Sequence, residues 1–260
     1  MPDFQPKFGH AAEEFQRYRP DYPTALYDHI LAQLPEERRG LAMDLGAGTG
    51  RVTAHLVPHF REVVSVEPDR AMAAKIAEPF PQVLIREVTA EECIQPAESV
   101  DLITIANALH WMEADRVFAN ARIWLRPDGI LAVFGPPLPK TTAAVDAITL
   151  AEFRGPWKPH RDPRLKRDLI WQDQVRAAPG FQIVEDTKFP HVIPMTPQDY
   201  VGFWRSTSYG SAYARTLDDP ERYWSDLESR FAAAAAGDMI PVDYSPTLIL
   251  ARRLQQVPFW

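Results

Sequence analysis

The chain has 260 residues, 46% hydrophobic and 24% charged, with a formal net charge of −7 and a pI near 5.5. That length accommodates one large α/β domain, or one domain with a cap, and an ample core. The acidic balance argues against nonspecific nucleic-acid binding, which needs a clustered basic face, and the densest basic group, Arg164, Lys166 and Arg167, is flanked by Asp162 and Asp168. A single cysteine, Cys93, suits a reducing compartment and sits beside Glu91 and Glu92, so a buried, unreactive thiol is expected. Residues Met1 to His10 lack the apolar centre of a signal peptide and no apolar run reaches bilayer length, so the expected location is cytoplasmic with no membrane contact.

In chain order, a short N-terminal helix punctuated by Phe15, Tyr18 and Tyr22 precedes a packed helix over Thr24 to Leu34, where Leu26, Ile30, Leu31 and Leu34 repeat at helical spacing. From Leu41 the alternation becomes that of a doubly wound sheet. Strands are expected over Leu41 to Leu45, Val63 to Val66, Val83 to Glu87, Val100 to Ile105 and Gly129 to Phe134. Helices are expected over Arg51 to His59, Asp69 to Ala77 and Asp115 to Leu125, the last ending in a Pro127-Asp128-Gly129 turn. After Phe134, two proline-rich stretches, Gly135 to Pro139 and Gly155 to Pro163, read as cap loops. Phe181 to Val184 and Thr247 to Arg252 read as two further strands. Helical patterning at Gln198 to Arg205 and Glu221 to Ala236 lies between them, the latter stopped by Gly237.

The chemistry concentrates in Met43-Asp-Leu-Gly-Ala-Gly-Thr-Gly50 and in Glu67, which closes the next apolar run. Closely spaced glycines between a strand and a helix let backbone approach a ligand, and an acid about 20 residues on suits a ribose. A dinucleotide fingerprint needs glycine at its first, third and sixth positions, but here Gly46 and Gly48 are followed by Arg51 at the sixth.

The Asp-Leu-Gly-Ala-Gly-Thr-Gly pattern resembles the first motif of class I S-adenosylmethionine-dependent methyltransferases. So do Thr89-Ala90-Glu91, the turn that touches adenine in that family, and Ala106-Asn-Ala-Leu-His-Trp111, the segment after its fourth strand. Tyr18-Arg-Pro-Asp-Tyr-Pro23 resembles the N-terminal segment of the small-molecule branch near the trans-aconitate and quinone-biosynthesis enzymes, whose domain is methyltransferase type 11. The resemblance spans about residues 15 to 252. It implies a Rossmann-like doubly wound seven-stranded sheet ending in an antiparallel hairpin, with a mostly helical cap insertion. An N-terminal helical lid would cover residues 1–40 and the cofactor core 41–135. The remainder, 136–260, would hold cap insertions at about 136–165 and 190–240. S-adenosylmethionine would be the cofactor, leaving as S-adenosylhomocysteine. Gly46, Ala47 and Gly48 would line its methionine moiety, Asp44 would orient its amino group, and Tyr18 or Arg19 would reach its carboxylate. Glu67 would hold the ribose, Ala90 and Glu91 the adenine, and Asn107 the methionine side near the sulfonium.

Methyl transfer from a sulfonium mainly demands alignment, so few side chains need covalent roles. His110, placed by pattern at a strand's C-terminal end, is the candidate base, against the alternative that it and Trp111 pack beside the cofactor. Trp111, Trp157, Trp204, Arg205, Tyr209 and Tyr213 are candidate acceptor-binding residues, against local core packing for the aromatics and surface charge for Arg205. The dispersed histidines give no metal site, and His55 and His59 read as an exposed helix face. The expected function is methyl transfer to a small molecule, a carboxylic acid or a secondary metabolite among the options, by a monomer or homodimer. A dinucleotide-dependent oxidoreductase and a non-catalytic cofactor-binding regulator are the competing readings.

Overall fold

The computed structural model describes residues 12–163 and 171–254. Seven strands form one sheet: β1 (Leu41–Leu45), β2 (Glu62–Val66), β3 (Leu84–Arg86), β4 (Val100–Ala106), β5 (Leu125–Gly135), β6 (Phe181–Lys188) and β9 (Thr247–Arg253). Their order is β3-β2-β1-β4-β5-β9-β6. The first five are parallel, while β9 runs antiparallel to both β5 and β6. The expected terminal hairpin is therefore present, with β9 inserted between β5 and β6.

The sheet is buried on both faces, as a doubly wound sheet demands. One face carries Met43, Leu45, Ile103 and Val133 beneath helix α5 (Ala114–Trp124). The other carries Ala42, Leu102 and Ala132 beneath α2 (Thr24–Leu31) and α3 (Arg51–Leu56). Helix α4 (Arg70–Ala77) starts on Asp69, whose carboxylate accepts the Ala71 and Met72 N–H groups. The strand order reverses between β1 and β4, which places a crevice at the C-terminal ends of those strands.

The last parallel strand begins earlier than its sequence suggests. β5 starts at Leu125, paired with Val100, and the register shift before Leu102 absorbs the Pro127-Asp128-Gly129 stretch as an irregularity within the strand. Asp128, not Gly129, takes the left-handed backbone there, at φ 64°.

The cap is more ordered than its proline content implies. Besides α8 (Pro197–Arg205) and α10 (Pro220–Ala234), it contains α6 (Ala143–Arg154), α9 (Ser208–Ala214) and a two-stranded antiparallel sheet of β7 (Val192–Met195) and β8 (Ile240–Asp243). Short α7 (Trp171–Arg176) follows the cap's first half and leads into β6. Thr142, Thr196 and Thr207 cap α6, α8 and α9, a start signal hidden among loop residues. α10 ends at Ala234 with Ala235 as its cap, so Gly237 is not the stop signal. Trp157, Tyr200, Phe203, Trp204, Trp224 and Phe231 give the cap a hydrophobic core of its own.

His55 is not on a bare exposed face. Its ring stacks on Tyr27 at 3.7 Å and its Nε2 lies 3.0 Å from the Asp21 carboxylate. Cys93 is buried, and burial pushes its thiol up despite the nearby Arg86 guanidinium. The Arg164, Lys166 and Arg167 group lies outside the described residues. Among those described, no helix is long and apolar enough to cross a membrane, and no cluster of metal-ligating side chains occurs.

Candidate active site

Three glycines turn the chain from β1 into α3. Gly46, Gly48 and Gly50 all take positive φ, at 70°, 58° and 85°, a backbone that only glycine adopts without strain. A Cβ on Gly46 would lie 2.6 Å from the Ala108 Cβ, and one on Gly50 would lie 2.8 Å from Ile76. Gly50 therefore takes the close-packing role, and Arg51 at the next position reaches to the Phe15 and Gln16 carbonyls.

Beneath this loop, parallel register aligns Ser65, Asp44 and Thr104 in one row across β2, β1 and β4. The buried Asp44 carboxylate accepts from Thr104 Oγ1 at 2.9 Å and from Thr53 Oγ1 at 2.8 Å, and Ser65 Oγ lies 2.7 Å from Thr53. With the Thr53 proton given to Asp44, Ser65 must be the donor to Thr53, which completes the network. Burial pushes the Asp44 carboxyl up to about 6, and the two threonine hydroxyls hold it back from rising further.

Glu67 stands at the end of β2. Its Oε2 accepts the Gly48 N–H at 2.9 Å and its Oε1 the Asp69 N–H at 2.9 Å. It is 8% exposed, and burial pushes it up to about 7 against these two backbone donors, with the Asp69 and Asp44 charges adding to the rise. A carboxylate has about four acceptor positions, so two remain for hydroxyl donors.

Two further turns close on the crevice. Ala90 is buried after β3, and Glu91 accepts the Glu113 N–H at 2.6 Å, while its carbonyl accepts from Asn120, tying this turn to α5. At the tip of β4, Asn107 is exposed with φ 50° and donates its N–H to the Phe134 carbonyl at 2.7 Å. Ala108 then meets Gly46, and the short 3₁₀ turn Leu109–Trp111 carries His110 and Trp111 away from that contact, their rings 4.9 Å apart and both half-buried.

Helix α1 (Ala12–Tyr18), in the segment expected to be a lid, bridges the glycine loop and the cap. Arg51 donates from Nη2 to the Gln16 carbonyl at 2.9 Å and the Phe15 carbonyl at 3.4 Å, and the Phe15 ring lies 4.0 Å from where a Gly48 Cβ would stand. Tyr18 faces the cap: a Cβ on Gly202 of α8 would meet its ring at 2.4 Å. Arg19 donates from Nε to Ser206 at 2.8 Å and lies over the Phe203 ring at 4.4 Å. Of the two lid residues expected at the cofactor, Tyr18 is thus occupied against α8, and Arg19 sits where lid and cap meet.

The expected acceptor residues divide. Trp157 and Trp204, at 0% and 1% exposure, line no cleft but fill the cap core. Trp157 donates to Tyr223, which donates to the buried Glu152, itself paired with Arg230. Tyr209 is also buried, packed against Phe153 and Trp157. Arg205 makes a two-point pair with Glu221 at 2.8 and 2.9 Å, which joins α8 to α10. Tyr213 is half-buried beside His160 and Tyr223, and Trp111 is the candidate on the core side of the crevice. Thr53, Thr104 and Ser65 were not read from the sequence as site residues. Their signal was a polar residue inside each apolar strand run and a threonine one turn into the following helix.

An open sheet with a five-strand parallel core, a reversed seventh strand inserted before the sixth, a glycine loop at the switch point and a buried acid closing the second strand together define the class I methyltransferase fold. Residues 43–133 match the methyltransferase domain family. A Dictyostelium discoideum protein named as a methyltransferase is 28% identical over 96% of both chains. The trans-aconitate 2-methyltransferase of Deinococcus radiodurans is 36% identical over 129 residues, 48% of each protein. Among solved structures, an Anaeromyxobacter dehalogenans chain described as a type II methyltransferase superposes with a TM-score of 0.69 over 93% of this chain and 100% of its own, at 26% identity. These likenesses make the chain a methyltransferase and support its placement with the class I S-adenosylmethionine-dependent enzymes.

Proposed function

We propose that this chain binds S-adenosylmethionine on the Gly46–Gly50 loop and transfers its methyl group to a small-molecule acceptor held between the sheet tip, the lid and the cap. The observation that carries this reading is Glu67: a buried carboxylate tied to the loop through Gly48, with two acceptor positions unfilled by the protein. A ribose diol supplies two donors of the right kind. Gly46, Ala47 and Gly48 offer backbone to the methionine moiety. Asp44, at 1% exposure, acts on its ammonium through the local field or an intervening water. Ala90 and Glu91 frame the adenine, Asn107 flanks the sulfonium, and Arg19 reaches the carboxylate. When bound, the cofactor supplies an electrophilic methyl on a good leaving group, so the protein's work is alignment and exclusion of water.

The acceptor side rests on Trp111, Tyr213 and the lid–cap junction, with His110 as the base for an acceptor that carries a proton. Carboxylic acids are the first class to screen, because the Deinococcus relative bears that activity in its name. Calorimetric titration with S-adenosylmethionine, S-adenosylhomocysteine and NAD tests the donor: the first two bind and NAD does not, whereas preferential NAD binding overturns the reading. A labelled methyl donor offered with acids, phenols and amines then tests the acceptor, and silence across all three overturns the small-molecule assignment.

A further inference from the structure

At the end of the sheet opposite the crevice, where β4 and β5 begin and β9 ends, Ala97, Glu98, Arg122, Ile123 and Arg253 line a recess of about 240 Å³. None of the roles above uses these residues. The volume lies below the ~300 Å³ at which drug-sized ligands begin to be held, so the space suits a smaller molecule or an ion.

The chain fixes the walls of this recess. Glu98 takes φ 51°, donates its N–H to the Ile123 carbonyl at 2.9 Å and pairs its carboxylate with Arg253 Nη2 at 2.8 Å. Ser99 donates its N–H to the Trp124 carbonyl, and Arg253 Nη1 donates to the Leu125 carbonyl. The carbonyls that end α5 are thereby satisfied, and they no longer compete for the cations beside them. Arg253 is 9% exposed and its Nε is sealed from solvent without a hydrogen-bond partner, so this arginine contributes charge to the wall more than contact. Arg126, the next arginine along, is committed to the buried Asp101 carboxylate at 3.1 Å.

Arg122 is the exception. It is exposed and makes no hydrogen bond or ion pair to any described residue. Its stem is nevertheless held in place, because Gly180, at φ 80°, leaves room that a Cβ would take: that atom would collide with Arg122 Cδ. The guanidinium therefore lines the recess on a supported stem, with its planar fork of five donors unused. Glu98 and Arg253 balance each other, which leaves the charge of Arg122 uncompensated. Ala97 and the half-exposed Ile123 add an apolar wall beside it.

We infer that this recess is a binding site for a small oxyanion, a carboxylate or a phosphoryl group, that pairs with Arg122 and rests any short apolar body on Ala97 and Ile123. A planar fork of donors matches the two oxygens of either group, and Arg253 behind it strengthens the local positive field. The recess and the crevice lie at opposite ends of β4 and β5, so the site is separate from the donor site proposed above and the two ligands do not compete.

The full chain, labelled at its alanine and isoleucine methyl groups, is titrated by NMR with acetate and, separately, with inorganic phosphate at constant ionic strength. Wild type, Arg122→Gln and Arg154→Gln are compared, Arg154 being an exposed arginine at the end of α6 that controls for general charge. In wild type the Ala97 and Ile123 methyl signals shift saturably at millimolar concentration with at least one of the two anions, acetate marking a carboxylate site and phosphate a phosphoryl one. Arg122→Gln weakens that binding about tenfold, the usual worth of hydrogen bonds to a charged group, and Arg154→Gln leaves it unchanged. Shifts that grow without saturating for both anions, an Arg122→Gln affinity equal to wild type, or equal losses in the two variants overturn the assignment.

Discussion

Gly48 donates its backbone N–H to Oε2 of Glu67 at 2.9 Å, so the tip of the glycine loop is tied to the end of the second strand by the same carboxylate that has two acceptor positions open. Glu67 is thus a strut and, in the function proposed above, also a binding group, so its protonation state governs both roles.

The first prediction follows from that group's acidity. Its carboxyl stands at about 7 against an ordinary 4.5, so the folded protein favours the protonated form. The stabilisation this gives is complete below pH 4.5 and is lost as pH rises through 7, by about 3 kcal/mol at most from this group. Hydroxyl donors of a ligand favour the ionised form. Affinity for S-adenosylhomocysteine should therefore rise with pH by up to about tenfold per unit below pH 7 and level off above it, with proton release on binding. Calorimetry at pH 6 in buffers of different ionisation enthalpy measures the released protons, and Glu67→Gln should remove the Glu67 share while leaving that of Asp44.

Thr104 supplies the second prediction. It donates to a carboxylate that is 1% exposed, so Thr104→Val leaves one Asp44 oxygen short of a donor. A loss of about 1–3 kcal/mol in denaturant unfolding is expected. The ionised form of Asp44 suffers more than the protonated one, so the loss should be larger at pH 8 than at pH 5. A loss independent of pH would mean that only packing had changed.

These residues also mark how far the sequence could be read. The sheet was legible because a strand buried on both faces is a nearly continuous apolar run, and Leu41–Leu45 could hardly be anything else. Gly46, Gly48 and Glu67 were legible because strict backbone and charge requirements leave few alternatives. The partners of Asp44 were not, because only strand register brings Thr104, 60 residues away, alongside it. The cap aromatics were left undecided for a related reason. Trp157 and Trp204 look the same in sequence whether they line a cleft or fill a core, and β7 and β8 become strands only by pairing with each other, Val192 with Asp243.

Gly46→Ala is the third test. The new methyl would stand 2.6 Å from Ala108 and the residue would keep a φ of 70°, so the loop must shift away from the segment that carries His110. Stability should fall by about 1–3 kcal/mol. Binding of S-adenosylhomocysteine should fall with it, whereas Gly237→Ala, in open space, should change neither.

His110→Gln separates base from packing. The residue lies one turn beyond the Ala108–Gly46 contact and beside Trp111. As the base for an acceptor that carries a proton, its loss should remove most turnover, about 10²–10⁴-fold, while cofactor affinity survives. Turnover that is unchanged with an identified acceptor would leave His110 a packing role only. An acceptor already ionised at neutral pH should be insensitive to the change, which makes a phenol or amine the informative substrate.

The lid gives the last prediction. Arg51 is the first residue of α3, and its guanidinium grips the Gln16 and Phe15 carbonyls at the C-terminal half of α1, where a cation is favoured by the exposed carbonyl dipoles. Its Nε is buried without a hydrogen bond among the described residues, so the grip costs some desolvation and is held only while α1 is docked. Further ties of α1 include the Glu13–Lys75 pair at 3.8 Å, which is weak because Glu13 is largely exposed, and the packing of Tyr18 on Gly202. Arg51→Met keeps the apolar stem and removes the grip. Amide hydrogen exchange should then speed up in residues 12–18 and stay unchanged in α3. If α1 closes over a ligand already seated, dissociation of S-adenosylhomocysteine should quicken more than its association slows. Faster exchange with an unaltered dissociation rate would show that α1 does not gate the site.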